Sequence, residues 1–150
     1  SMRIPGYFNR RFHPPAPFIR VTLKSDSLSI KQPLHFHIDT GASVTVLLDK
    51  DVNYLGIDTK TLKKADRPLG GLGGTIDTYT KDDSSLLLVS EHGEMIEERL
   101  PLYVGPHKIR RLSPEERTIT EKMPSLLGRD VIYRFRLVCD KEHEEIYLER

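Results

Sequence analysis

Asp39-Thr40-Gly41 follows directly on the alternating run Leu34-His35-Phe36-His37-Ile38, and it occurs once in the chain. The run has the period of two that marks a half-buried strand, so the tripeptide reads as a strand entering a tight turn that presents a carboxylate. Two carboxylates about 3 Å apart cannot both ionise cheaply, so such a pair holds one proton, and one member acts as base while its mate acts as acid. A chain with one such loop supplies half a pair. The second carboxylate is then expected from another copy of the chain, which makes a homodimer the expected working unit. Thr40 can tie down neighbouring backbone through its hydroxyl, and Gly41 lets main chain from two subunits approach where a Cβ would clash.

Two further segments stand in a fixed order after this loop. Leu69-Gly70-Gly71-Leu72-Gly73-Gly74-Thr75-Ile76 places four glycines around one leucine, a backbone free to take positive φ and suited to the tip of a hairpin that opens and closes. An ordinary loose turn is the competing reading of that stretch. A phosphate-binding loop fits poorly, because no Gly-Lys-Ser/Thr follows and Thr75-Ile76-Asp77-Thr78-Tyr79 alternates like a strand. Near the C-terminus, Leu126-Leu127-Gly128-Arg129-Asp130-Val131-Ile132 reads as a buried strand end, a tight turn at Gly128, and a short helix from Arg129 to Phe135 with Val131, Ile132 and Phe135 on its apolar face.

Together the three segments resemble the retropepsin family, the retroviral proteases and their cellular relatives, over about residues 17 to 149. The resemblance implies an all-β, closed β-barrel with one or two short helices, one Asp-Thr-Gly loop and one flap hairpin per subunit. It divides the chain into an N-terminal extended arm, 1–16, and a protease domain, 17–150. The implied activity is a homodimeric aspartic endopeptidase acting on a peptide or protein substrate, with Asp39, Thr40 and Gly41 catalytic. Gly70, Gly71, Leu72, Gly73, Gly74 and Thr75 would form the flap over the substrate, and Ala42, Ser43, Gly128, Arg129 and Asp130 would support the site. No metal and no organic cofactor is implied. In the family, the arginine holds the dimer through an acid two residues after the catalytic glycine. That position here is Ser43, so Asp130, a backbone carbonyl or a group from the second chain is left to partner Arg129. A non-proteolytic peptide-binding or dimerisation module that keeps the same fold is the alternative.

At 150 residues, with 37% hydrophobic and 30% charged, the chain can bury the core of one domain. Lys and Arg number 23 against 22 Asp and Glu, a net charge of +1, which argues against a nucleic-acid-binding barrel or an anionic-membrane binder. Cys139 is the single cysteine, so no intrachain disulfide framework exists, and a reducing, cytoplasmic setting is expected. No run of 18 apolar residues points to a transmembrane helix, and no N-terminal apolar stretch to a signal peptide. Ser1-Met2 reads as a tag residue before a native start.

His35 and His37 share a strand face at period two, and by parity share it with Asp39; His-x-His can hold zinc when a third ligand joins it. No other His or Cys pair with metal spacing accompanies them. A protonated His37 close to the carboxylates would favour their ionised form.

Strands are expected over Phe18 to Lys24, Leu34 to Asp39 and Val44 to Leu48, and a helix from an N-cap at Asp49 through about Leu55, closed by Gly56. Leu86 to Val89 and Met95 to Val104 predict a hairpin around His92-Gly93. Gly105 to Pro124, with Pro106, Pro114 and Pro124, predicts a long loop. Arg136 to Asp140 and Glu145 to Glu149 predict a second hairpin, longer than the terminal strands that interleave in retroviral protease dimers.

Overall fold

The computed structural model describes residues 1–66, 77–107 and 112–150. Its centre is a closed, six-stranded mixed barrel. The long strand β3 (Ala16–Ser25) pairs along one side with β4 (Ile30–Ile38). From β4 the order runs through β9 (Leu126–Leu127), β5 (Val46–Leu47), β8 (Met95–Val104) and β7 (Tyr79–Val89), and β7 returns to the second half of β3 through Thr22 to Ser25. The β4–β9 and β5–β8 pairs are parallel, and the remaining barrel pairs are antiparallel. The first half of β3 takes β2 (Tyr7–Asn9) instead, and β6 (Lys63–Lys64) extends the outside of β7.

The alternation in the sequence is what closes this barrel. In β4, Leu34, Phe36 and Ile38 are buried while His35 is exposed, and in β8 Leu100, Leu102 and Val104 are buried while Pro101 is exposed. Phe36, Ile19, Leu23, Leu86, Leu88, Leu102 and Leu127 fill the interior, each contributing about 1.5–3 kcal/mol relative to exposure. A second sheet, β1 (Arg3–Pro5), β11 (Glu145–Glu149) and β10 (Arg136–Asp140), packs Ile4, Ile146 and Leu148 into the same core. The N-terminal segment is thus extended and bound: β1 lies on β11 and β2 on β3.

Both predicted hairpins form, the first with Gly93 at φ 85° and the second with β10 and β11 at the expected bounds. Strand β7 is longer than expected because a bulge between Lys81 and Ser84 lets it turn and continue. Among the described residues, three short helices and one 3-10 turn (Thr59–Thr61) exceed the one or two helices expected.

Four sequence readings need correction. Asp49 is not the N-cap of α1 (Asp49–Leu55): Leu48 holds that position without a side-chain bond, because the Asp49 carboxylate accepts from His107. Gly56 closes the helix as expected, at φ 66°. The stretch read as a loop from Gly105 to Pro124 contains α2 (Pro114–Glu121), started by Ser113, whose Oγ accepts the Glu116 N–H at 3.1 Å. Helix α3 spans only Arg129–Ile132, and Phe135 N–H turns back to Ile132 O. Strand β5 covers two residues of the five expected, since the Thr45 N–H is taken by Asp130 instead of by a strand neighbour. Among the described residues no helix is long and apolar enough to cross a membrane.

Candidate active site

Strand β4 delivers Asp39 to the end of the barrel. The parallel β4–β9 ladder carries on past the strand: His37 N–H donates to Ser125 O at 2.9 Å, and Asp39 N–H to Leu127 O at 3.0 Å. The chain then reverses, with Ala42 N–H donating to Asp39 O at 3.1 Å and Gly41 N–H to Asp39 Oδ1 at 2.9 Å. This is an Asx-type turn, and it fixes one oxygen of a half-buried carboxylate. No described residue hydrogen-bonds the other oxygen. A Cβ on Gly41 would stand 3.1 Å from Asp39 Oδ1, tighter than most such contacts, so the glycine leaves room for the carboxylate of its own turn.

The Gly128-Arg129-Asp130 segment locks this turn from behind. Arg129 N–H donates to Ala42 O at 2.8 Å, and Arg129 Nη1 donates to Thr40 O at 2.8 Å. A backbone carbonyl therefore takes the place of the acid that Ser43 does not provide. Asp130 is engaged elsewhere: its two oxygens accept the Thr45 N–H at 3.0 Å each, and Oδ1 also accepts the Thr45 hydroxyl at 2.8 Å. The same hydroxyl oxygen accepts the Gly128 N–H at 3.0 Å. Gly128 has no alternative here, since a Cβ would lie 2.4 Å from both the carbonyl carbon and oxygen of Val44.

Thus Asp39, Thr40, Gly41, Ala42 and Arg129 share one set of hydrogen bonds, Gly128 and Asp130 share a second that meets at Thr45, and the covalent Gly128-Arg129-Asp130 segment links the two, while Ser43 is exposed and outside both. Thr40 takes part through its carbonyl, not through its hydroxyl. Thr45, buried in the structure, is the central residue that sequence reasoning missed; a lone hydroxyl within the apolar run Val44-Thr45-Val46-Leu47-Leu48 was the available signal. The glycine-rich segment Gly70, Gly71, Leu72, Gly73, Gly74, Thr75 lies outside the described residues. The arms that lead to it pair antiparallel, Lys63 with Thr80 and Lys64 with Tyr79, and Ala65 N–H donates to Thr78 O at 2.8 Å.

Two open clefts lie near residues of this region. One, of about 530 Å³, runs from Ser43 and Val44 to Lys64, Ala65 and Tyr103. The other, of about 640 Å³, is lined by Phe12, Phe18, Ile119 and Met123 with Arg11 and Lys50. His37 stacks on Phe18, with ring centres 5.4 Å apart, and on Phe12 at 6.1 Å. Its burial there lowers its pKa, and the Asp39 charge only partly offsets that. A neutral ring results near neutral pH, so His37 does not supply the positive charge considered from the sequence. His35 is lowered too, by burial and by Arg20 and Lys50, and its Nδ1 lies 2.6 Å from the Tyr7 hydroxyl. Among the described residues no group of three His, Cys, Asp or Glu could hold a metal ion.

A retropepsin-like aspartic protease from Rickettsia conorii aligns with 99% of this chain and 93% of its own, at 22% identity and a TM-score of 0.58. The barrel is a retropepsin-like fold. Two further solved structures align more loosely. The EIAV protease complexed with the inhibitor HBY-793 is 20% identical, covering 79% of this chain and 86% of that one, with a TM-score of 0.46. The retroviral protease-like domain of Ddi1 from Leishmania major is 12% identical, covering 87% and 93%, with a TM-score of 0.43. No family model and no curated protein matches the chain.

Proposed function

We propose that the chain is a homodimeric aspartic endopeptidase in which Asp39 of each subunit contributes half of the catalytic pair. The observation that carries this reading is the Asp39 turn: a half-buried carboxylate with one oxygen held by the Gly41 N–H, at the end of a barrel strand, braced by Arg129 on the Thr40 carbonyl. One carboxylate of the pair takes a proton from a water that attacks the peptide carbonyl. The other, protonated, donates to the developing oxyanion, and the proton taken from water then passes to the leaving amine. The reaction needs no metal in this scheme. Gly70 to Thr75 serves as the flap that closes over the substrate, whose extended main chain is bound like an added strand.

Incubation of the protein with a mixed peptide library, beside an Asp39→Asn control, tests the reading. Cleavage by the parent and none by the variant, with both folded and dimeric, is the expected result. Equal cleavage by the variant would show that another group does the chemistry, and peptide binding without cleavage by the parent would leave a non-proteolytic module.

A further inference from the structure

The open edge of β10 is an unpaired template, and its side chains complement themselves. The direction of each main-chain group follows from the neighbouring strands. Met2 and Arg150 exchange both hydrogen bonds at 2.9 Å, and Gly6 N–H donates to Ile146 O at 2.8 Å. Even-numbered residues of β11 therefore address β1, and Glu145, Tyr147 and Glu149 address their partners Asp140, Val138 and Arg136 on β10. Leu137 and Cys139 are left with N–H and C=O groups directed away from β11, and no hydrogen bond to them is found among the described residues.

Other edges are closed or blunted. The long barrel strands β4 and β8 each carry a proline, Pro33 and Pro101, β6 is two lysines, and β2 is three residues long. On the far side of the small sheet, Pro5 has no N–H and Arg3 O already accepts the Glu91 N–H at 2.8 Å. Among the described residues, β10 presents five consecutive residues, Arg136–Asp140, with one side unpaired and no proline.

We propose that this edge pairs with the same edge of a second copy, antiparallel about a two-fold axis at Val138. The register is the one the free groups dictate: Leu137 of each chain exchanges hydrogen bonds with Cys139 of the other, and the two Val138 residues form a non-hydrogen-bonded pair on the axis. Arg136 then stands directly opposite Asp140 of the other copy, twice by symmetry. Both side chains reach solvent, 71% and 39% exposed. Arg136 uses one Nη1 contact to Glu149 at 3.1 Å, and Asp140 accepts from His143, so each retains bonding capacity. The two three-stranded sheets become one of six strands. Because β1 stays on its own β11, the subunits join without exchanging termini. The proposal rests on the paired-Asp39 reading in requiring that two copies associate.

In a Cys139→Ser background, Val138→Cys places two thiols on the axis with Cα atoms about 4.5 Å apart, within disulfide range. Mild oxidation should give a covalent dimer on a denaturing gel, whereas Met95→Cys in the same background, exposed on β8, should not. Arg136→Glu should weaken self-association by about tenfold in sedimentation, and Arg136→Glu with Asp140→Arg should recover it. A wild-type dimer in which Val138→Cys fails to cross-link and Arg136→Glu associates normally overturns the β10 edge but leaves the paired-Asp39 reading standing. A wild-type protein that is monomeric at micromolar concentration overturns both.

Discussion

Two regions on either side of β9 are held by different means. Around Asp39, the bonds are mostly to main chain: Gly41 N–H, Leu127 O, Ala42 O and Thr40 O fix the turn, and Asp130 holds the chain just after it through the Thr45 N–H and hydroxyl. Around α1 and the 105–125 stretch, side-chain pairs do the work. Asp49 binds His107 through both N–H and Nδ1, at 2.8 and 2.6 Å, and Asp51 accepts the Ser125 hydroxyl at 2.5 Å while Ser125 Oγ takes the Leu48 N–H. A main-chain frame places a carboxylate with little tolerance, as acid and base chemistry requires. A side-chain frame anchors a segment to the domain away from the carboxylate. The difference predicts that damage to the first region costs activity and stability together, and damage to the second costs stability alone.

The largest effect is expected at Gly128. Gly128→Ala forces a Cβ into the Val44 carbonyl, so the protein should lose about 3 kcal/mol of stability in denaturant unfolding, and the fraction that folds should cleave peptides poorly. Asp49→Ala is the matching change in the second region. It leaves the buried His107 donors without their acceptor, at a cost of about 2 kcal/mol, while turnover by the folded protein stays near the parent value. Equal loss of turnover in both variants would erase the distinction. Ser113→Ala removes only a cap of α2 and should lower the unfolding free energy by about 1 kcal/mol, again with turnover retained.

The smallest effect concerns pH. His37 and His35 both have pKa values lowered by folding, so the unfolded chain binds protons more readily than the native one. Their contribution is present in full above about pH 6.5 and is lost as pH falls through the lowered folded values. Thermal midpoints should therefore drop on acidification across this window, and His37→Phe, which keeps an aromatic ring against Phe12 and Phe18, should flatten part of that drop. An unchanged acid slope in the variant would mean that His37 is as free in the native protein as in the unfolded chain.

Part of the main-chain frame is also visible in the sequence. The alternation through Leu34, Phe36 and Ile38 locates β4, and the turn and the buried strand end at Leu126-Leu127 follow from short local patterns, although the ladder between them does not. The side-chain frame is not visible in that way, because Asp49 and His107 lie 58 positions apart and Asp51 and Ser125 lie 74 apart. Locally, Asp49 reads as a cap; only its distant partner makes it something else. Helix α2 was legible in part: Ser113-Pro114-Glu115-Glu116 has a capping serine, proline at the first helical position and Glu three residues on, but the surrounding prolines outweighed it. Arg129 shows the same limit at the site, since no pattern in the chain distinguishes the Thr40 carbonyl from Asp130 as its partner.

The central claim, that two chains share one acid–base pair, is tested most directly by subunit mixing. Wild type and Asp39→Asn are combined in equal amounts, allowed to exchange subunits, and assayed for peptide cleavage at fixed total protein. If each active unit needs Asp39 from both chains, only wild-type pairs cleave, and the mixture retains about a quarter of the activity of the same total amount of wild type. If each chain works alone, about half remains, and that result would contradict the shared pair.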